Sequence, residues 1–484
     1  MVHTIGNTKQ VFVDWDLIEA GNGLARYYDT KNQSKVHPTT HEMPYGIQIQ
    51  VHYPRIDNEP IMVPNKKSDG AFICYVSIFE DDGIYRMYTM NWGDVRLGWD
   101  NPYQYFLTYA ESTDGINWHK PKIGEISCNG STNNSLVYAG HASPAFKDPN
   151  GKPGERYKLV CVDRSNGKTN LFGAVSSDGR RFKPIQKPLL TNYHSDTHNV
   201  ITFDKERDIY IGYFRGKMHG RRTLRTIAYA ETSNFNDWPV PEVIVTPDVK
   251  DPPDMDIYTN SYTRWPDTNT HLMFPAFYQR RLDETEIHIM TSRNGKLWER
   301  PLNKPIIPNN IPNSEFSGSV YAGCNLIRVR PGEWSLPISP RPSSHNSYQY
   351  PGGMTSELNR GSVYLASWRE DGITSLEAET EGECTTIPII FTGSRLEVNG
   401  WTRFGGSIAF ELVDASNENN YTNANAIPGF SFADNDFFSG DSLNHQVSWN
   451  GNPDVSFCAG KPIRIRLKMR RSRLHAFRFR EAKH

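Results

Sequence analysis

Ser112-Thr113-Asp114-Gly115-Ile116-Asn117-Trp118 is the first copy of a phrase that returns along the chain. Ser176-Ser177-Asp178-Gly179-Arg180-Arg181-Phe182 repeats it, and Thr291-Ser292-Arg293-Asn294-Gly295-Lys296-Leu297-Trp298 repeats it again. Thr232-Ser233-Asn234-Phe235-Asn236-Asp237-Trp238 is a looser copy, and Asp371-Gly372-Ile373 is a fragment of a fifth. Successive copies, counted at Asp114, Asp178, Asp237, Asn294 and Asp371, lie 64, 59, 57 and 77 residues apart. Asp-Gly and Asn-Gly tolerate the positive φ of a tight turn, and the aromatic three residues after the glycine can pack back over it. An apolar strand precedes the four fuller copies, as in Phe106-Leu107-Thr108-Tyr109-Ala110 and Leu171-Phe172-Gly173-Ala174-Val175. A repeat of strands and turns at this spacing predicts the blades of a β-propeller, five of them.

Composition agrees with an all-β chain. Its 484 residues are enough for more than one domain, and they include 24 Tyr, 23 Phe and 11 Trp. Long amphipathic helical patterns are scarce. Lys plus Arg (53) nearly balances Asp plus Glu (54), so no basic field favours nucleic acid or an anionic membrane. No apolar run approaches the roughly 18 residues of a membrane span. The start, Met1-Val2-His3-Thr4, lacks the regions of a signal peptide, which predicts a cytoplasmic protein, or an exported one if a leader has been removed. None of the six cysteines forms a CxxC pair or a zinc spacing, so buried free thiols are expected.

The phrase stops near residue 385. Beyond it short alternating strands, such as Ser407 to Leu412 and Ile463 to Leu467, read as a β-sandwich. The expected organisation is residues 1–44 packing on the propeller or the sandwich, 45–384 as a five-bladed propeller, and 385–484 as the sandwich.

The first strand of each propeller blade lines the central channel, so its leading residues face one funnel. The repeats begin Asp69-Gly70-Ala71, His141-Ala142-Ser143, Asp196-Thr197-His198, Asp254-Met255-Asp256 and Glu315-Phe316-Ser317. Four of the five place a carboxylate there and the other a histidine. Crowded carboxylates raise one another's pKa, and glycoside hydrolysis uses that arrangement, with one protonated as acid and another ionised as base or nucleophile. The opposing interpretation of each Asp is a cap on the turn before its strand.

The chain resembles the five-bladed propeller glycoside hydrolases of families 43, 32, 68 and 117, and within them a bacterial set common in planctomycetes. Ser112 to Trp118, Asp196-Thr197-His198-Asn199-Val200, Asp256-Ile257-Tyr258-Thr259-Asn260, Leu272-Met273-Phe274-Pro275 and Arg369-Glu370-Asp371-Gly372 carry the likeness, with Phe391 to Asn399 and Ile427 to Phe430 near the C-terminus. The family 43 pattern implies Asp69 as base, Asp196 as the residue that orients and tunes, and Asp256 as acid. The acid of that pattern is Glu, so Glu315 competes with Asp256. The acidic neighbours of Asp256 in Asp251-Pro252-Pro253-Asp254 are expected to raise its pKa. Family 32 motifs are absent.

Around these carboxylates the sequence offers further candidates. His141 and His198 could bond a sugar hydroxyl, tune a carboxylate, ligate a metal or make a structural bond across the channel. Arg215 and Arg222 could grip a carboxylate or sulfate on an anionic sugar, or neutralise Asp196. Trp92 could stack on a sugar face, and His345 lies in a Pro/Ser-rich loop. The expected function is an exo-acting glycosidase of plant or marine oligo- or polysaccharide. The alternatives are a non-catalytic glycan- or protein-binding propeller and, lower, a sialidase-like enzyme. The expected partner is a carbohydrate substrate, with neither nucleic acid nor membrane. No cofactor is required, a structural metal ion in the channel is left open, and so is the oligomeric state.

Overall fold

The structure is a computed structural model that describes residues 2–19, 44–70, 72–92, 105–143, 145–164, 167–196, 198–219, 223–310, 314–347, 361–416 and 425–482. These residues are strands and turns, with only single-turn 3-10 helices among them. The chain divides into two units: residues 53–265 with 270–367, and residues 1–52 with 266–269 and 368–484.

The first unit is a propeller arrangement of antiparallel sheets in chain order. Phe72–Asp81, Ile84–Trp92, Tyr105–Ser112 and Leu136–Ala139 form the first blade. The second is built on Tyr157–Asp163 and Asn170–Ser176, with His141–Ala142 and Phe146–Lys147 on its inner side. Val200–Asp204, Ile209–His219, Thr223–Thr232 and Glu242–Val245 form the third. The remaining repeats share one seven-stranded sheet, because Thr285 of Glu284–Ile287 pairs in parallel with Ser319 of Ser319–Ala322. Five sequence repeats therefore map onto four blade sheets, which corrects the expectation of five separate blades. Tyr262–Arg264, His271–Met273 and Met290–Ser292 form a small three-stranded sheet within the fourth repeat.

Adjacent blades are glued by apolar clusters. Val160 and Leu171 of the second blade pack with Ile201, Tyr210 and Phe214 of the third. Ile211 and Tyr229 of the third pack with Ile257, Met273 and Phe277 of the fourth repeat. The ring closes on itself: Ile73, Val76 and Met87 of the first blade share a cluster with Ile327, Val363 and Leu365 of the last repeat. Strand pairing closes it as well, since Arg55–Ile56, ahead of the first blade, pairs antiparallel with Ser367 and Ala366 at the end of the last.

The recurring phrase does more than turn the chain. In three copies a serine hydroxyl (Ser112, Ser176, Ser292) accepts the glycine N–H at 2.9, 3.0 and 2.9 Å. The Asp114, Asp178 and Asn294 side chains each accept two backbone N–H groups beyond the turn. Trp118 and Trp298 fold back so that each indole donates to the glycine carbonyl, at 3.1 and 3.0 Å. The preceding blade also reaches that carbonyl: Tyr88 Oη donates to Gly179 O at 2.7 Å and Tyr213 Oη to Gly295 O at 2.9 Å. The aromatic-rich phrase is thus an inter-blade latch as well as a turn.

The strands of the second unit pair as one eight-stranded sheet. Its spine is Ile463–Arg480, paired with Arg395–Asp414 and with Thr374–Thr385. The long strands bulge at 378/381 and 402/407, so they bend instead of breaking into separate sheets. His3–Gly6, Gln10–Val11 and Gln48–Val51 are strands of this same sheet. The unit begins at residue 368, ahead of the expected boundary at 385, because Thr374–Thr385 pairs with Ile463–Arg480 and not with a blade. Its core includes Phe391, Leu396, Phe410, Leu467 and Phe479. All six cysteines are free and buried.

Gly295 has φ +72°, and a Cβ there would stand 2.7 Å from Tyr213 Oη, whereas Gly83 has φ +81° and open space around it. Left-handed backbone alone costs a non-glycine residue about 1–2 kcal/mol. Gly295→Ala must also displace the latch tyrosine, so it is expected to lower unfolding free energy by at least about 1 kcal/mol more than Gly83→Ala. Equilibrium denaturation of the two variants checks this; equal losses would mean that Tyr213 is not held against the turn.

Candidate active site

One cavity of about 170 Å³ collects a residue from the inner side of every repeat: Cys74 and Tyr75, His141, Asp196, Tyr258 and Tyr321. Trp92, Tyr105, Met90, Arg164, Arg341 and His345 complete its lining. A pocket to which every repeat contributes is a central funnel.

Local backbone explains how the first blade takes part. Tyr75 has φ +49°, in the left-handed region where a bulky residue is rare, and the pairing of its strand with the next shifts between Cys74 and Ser77. In a regular strand Cys74 and Tyr75 would face opposite sides. The bulge turns both toward the cavity, and Tyr75 packs edge-on to Tyr321 with centroids 5.4 Å apart. Strain of this kind persists only where the surroundings hold it, and it gathers at functional sites.

Asp196 is the carboxylate of the cavity. Its side chain is 35% exposed, and its Oδ1 accepts from Arg164 Nη2 at 2.8 Å. Arg215 Nη1 stands 3.5 Å from Oδ2, and His141 Nε2 stands 3.5 Å from Oδ1. Burial alone would raise this carboxyl, but Arg215, His141 and Arg164 hold it well below the usual range. Burial pushes the His141 imidazole down to about 4, against the pull of Asp196 and together with Arg164 and Arg215. His345 falls to about 3, first through burial and then through Arg341. Its Nδ1 lies 2.5 Å from Tyr321 Oη, and its ring meets Tyr258 at 4.5 Å. Near neutral pH the cavity therefore holds an ionised Asp196 between arginines, two neutral histidines and a wall of aromatic rings.

Four residues singled out in the sequence line this cavity: Trp92, His141, Asp196 and His345. Arg215 sits behind it, its guanidinium 4.2 Å over the Tyr258 ring. His198 lies beneath: it stacks on Tyr75, and its Nε2 is 3.3 Å from Cys324 Sγ. Arg222 lies outside the described residues.

The other three carboxylates do not line it. Asp69 is completely buried. Its Oδ2 accepts the backbone N–H groups of Asn65 and Lys66, both at 2.8 Å, and pairs with Lys120 Nζ at 2.7 Å. That is the turn-capping role of an Asp ahead of a strand, and it corrects the assignment as base, which needs contact with water or substrate. Asp256 is also completely buried, with Oδ2 accepting from Arg225 Nη1 at 2.6 Å and Oδ1 from Arg280 Nη2 at 2.7 Å. The groups that reach it are arginines and not its acidic neighbours, since Asp251 pairs with Arg300 and Asp254 accepts the Arg281 N–H. Tyr258, two residues further on, takes the place in the cavity. Glu315 is bonded to Ser362 Oγ at 3.5 Å, and burial raises its carboxyl above the ordinary value. Among the described residues no group of three His, Cys, Asp or Glu could hold a metal ion.

Tyr75, Tyr105, Tyr258, Tyr321, Arg164 and Arg341 were not singled out from the sequence as site residues. Their signal was weak: an aromatic on an inner strand reads as core, and only a bulge or a strand end turns it inward.

No family model matches the chain. Two curated proteins of Mycobacterium tuberculosis, Uncharacterized protein Rv1502 (strain ATCC 25618 / H37Rv) and Uncharacterized protein MT1551 (strain CDC 1551 / Oshkosh), are each 23% identical to it over 159 residues. The match covers 32% of this chain and 52% of each relative, so the chain spans about half the length of the curated relatives it matches. Similar solved structures include the catalytic domain of a Coprinopsis cinerea GH62 alpha-L-arabinofuranosidase, with TM-score 0.43 and 12% identity over 65% of this chain and 97% of that one. A thermostable family-43 glycoside hydrolase gives TM-score 0.41 and 12% identity over 63% and 92%. An N-acetylgalactosamine deacetylase from F. plautii, in complex with blood group B trisaccharide, gives 0.45 and 11% over 68% and 97%. Similarity this distant leaves the activities of those proteins with those proteins.

Two outcomes follow from the geometry. Asp256→Asn removes the charge that two arginines share, so it is expected to cost about 3 kcal/mol of stability, read by urea denaturation. A fully stable D256N variant would disprove the structural role. The second concerns pH. His141 is lowered from 6.5 to about 4, so the unfolded chain takes up a proton that the folded one refuses. The stability this contributes is present above pH 6.5 and is lost as pH falls from there toward 4. His198, lowered to about 3 by burial and Arg215, adds to the loss. His141→Gln should shrink the drop in stability between pH 7 and 5; an unchanged drop would count against a neutral buried His141.

Proposed function

We propose that the funnel cavity binds a terminal sugar and that the protein cleaves the glycosidic bond beside it. The observation that carries this is the convergence of residues from every repeat on one cavity whose walls are aromatic and whose carboxylate, Asp196, is held ionised. Aromatic faces stack on the apolar face of a pyranose, while carboxylate, guanidinium and imidazole groups bond its hydroxyls. At about 170 Å³ the cavity is smaller than the roughly 300–1,000 Å³ of drug-sized sites, which suits a single sugar unit and exo action.

In this reading Asp196 serves as the ionised carboxylate, orienting the sugar or stabilising positive charge in the transition state. His141 tunes Asp196 and positions it. Glycosidic cleavage also needs a protonated acid; burial raises the Glu315 carboxyl, and Glu315, which does not line the cavity, is the acid proposed for the leaving group beyond it. A plant or marine polysaccharide remains the proposed source of the sugar. A second reading, glycan binding without cleavage, is favoured by one observation: Asp69 and Asp256 lie outside the cavity, Asp69 with its Oδ2 paired to Lys120 and Asp256 with both oxygens paired to arginines.

Asp196→Asn is expected to lower kcat on aryl-glycosides by about 10²- to 10⁴-fold while the sugar still quenches tryptophan fluorescence. Glu315→Gln should slow glycosides with poor leaving groups far more than activated ones. Binding without hydrolysis across a broad glycoside panel would establish the second reading, and loss of neither activity nor affinity in D196N would move the site elsewhere.

A further inference from the structure

The cavity holds a hydrogen-bonding group, besides Asp196, whose aim is set from outside it. We infer that His345 donates its Nε2–H to a hydroxyl of the bound sugar, and that Asp283, which does not line the cavity, is the positioning residue that holds His345 there. The inference rests on the reading of the cavity as a sugar site and adds two residues to that site.

The two nitrogens of the His345 ring are placed differently. Nδ1 lies 2.5 Å from Tyr321 Oη, and Arg341 Nη2 stands 3.3 Å from the same oxygen. A guanidinium only donates, so Tyr321 accepts from Arg341 and gives its one phenolic proton to Nδ1. Burial, and after it Arg341, keeps His345 neutral near pH 7, so the proton of the imidazole itself sits on Nε2. No described residue bonds Nε2, and that nitrogen is not closed off from water as His141 Nδ1 and His198 Nδ1 are. The rings of Tyr258 and Tyr278, at 4.5 and 4.9 Å, confine the imidazole from two sides. An open ring N–H that lines the cavity without a protein acceptor is a donor left for a ligand.

Asp283 grips the backbone that carries this ring. It lies in the turn between Ala276–Gln279 and Glu284–Ile287, with φ +59°, a conformation that Asp tolerates. Three consecutive residues, in the turn that follows the strand Glu333–Arg341, donate to it. Ser344 Oγ reaches Oδ2 at 2.6 Å, the His345 N–H reaches the Asp283 carbonyl at 2.6 Å, and the Asn346 N–H reaches Oδ2 at 2.8 Å. Asn346 Nδ2 donates to Oδ1 at 2.6 Å, and Tyr278 Oη donates to the same oxygen at 2.9 Å. Against burial, Ser344 and the Asn346 N–H draw the carboxyl below its ordinary value, so it stays ionised and accepting. Arg341 Nη2 completes the hold by donating to the His345 carbonyl at 2.5 Å. A group that presents a single N–H to a ligand needs its backbone held in this way, because a small displacement loses the bond.

The first test is the tautomer, read from long-range proton–nitrogen spectra of protein labelled in its histidines, with His345→Gln identifying the signal. His345 is expected to carry its proton on Nε2, and a proton on Nδ1 would overturn the inference. The second is isothermal titration calorimetry with the methyl glycosides of arabinose, xylose, galactose and mannose. His345→Ala and Asp283→Asn are each expected to weaken the glycosides that bind by about tenfold, and His345→Gln, which keeps an N–H near the place of Nε2, by less. The double variant should bind no more weakly than His345→Ala alone, because Asp283 acts through His345. Losses that add, or an Asp283→Asn protein that binds as tightly as the wild type, would overturn the positioning role. Should Asp283→Asn fail to fold, Ser344→Ala removes one bond to the same carboxylate and takes its place in the cycle. Undiminished binding by His345→Ala would overturn the donor role while leaving the sugar site intact. Silence from every glycoside with the wild type would overturn both this inference and the reading on which it rests.

Discussion

The propeller unit depends on closing a ring. Each blade buries one face against the next, and the last must find the first or leave an apolar face in water. Two devices close it. Ile73, Val76 and Met87 bury against Ile327, Val363 and Leu365, and Arg55–Ile56 pairs with Ala366 and Ser367. The second device ties a segment ahead of the first blade to the last one, so the ends of the unit hold each other. Without closure the inner strands would not share an axis, and the cavity to which they all contribute would not exist.

Within that ring the electrostatic cost is concentrated at Asp196. An isolated ion taken out of water is expensive, and the fold offsets this with Arg164, Arg215 and a neutral His141. The other buried carboxylates are treated differently. Asp256 sits in a closed set of arginine partners and Asp69 caps its turn through Oδ2, and neither lines the cavity. Asp196 keeps more than a third of its side chain open. Among carboxylates that all stand at the head of an inner strand, openness separates a group able to meet a ligand from one that holds a turn or a strand.

The repeat phrase made much of the architecture legible. Its turn chemistry, Ser then Asp or Asn then Gly then an aromatic, survives intact in the hydrogen bonds of Ser112, Ser176 and Ser292. Its glycine carbonyl also has a second use that the sequence does not announce, since Tyr88 and Tyr213 of the preceding blades donate to Gly179 O and Gly295 O. Of the candidates read at the heads of the inner strands, His141 and Asp196 line the cavity; in the fourth repeat Tyr258 lines it instead of Asp256, and in the first Cys74 and Tyr75 instead of Asp69. Sequence spacing counts residues along a strand, while depth in the funnel depends on where that strand enters the ring and whether it bulges.

Local chemistry, then, was decided by the sequence itself: turns from Asp-Gly and Asn-Gly, strands from apolar alternation, and an all-β chain from both. These are interactions between residues close together in the chain, so the order of residues contains them. Tertiary structure alone decided that the last two repeats share one seven-stranded sheet, since that turns on one parallel pair, Thr285 with Ser319. It also decided that Thr374–Thr385 belongs to the second unit, because its partner, Ile463–Arg480, lies about a hundred residues away. The protonation of the cavity has the same origin. Asp196 is ionised and His141 neutral because Arg164, Arg215 and the surrounding rings, distant in sequence, enclose them in one space.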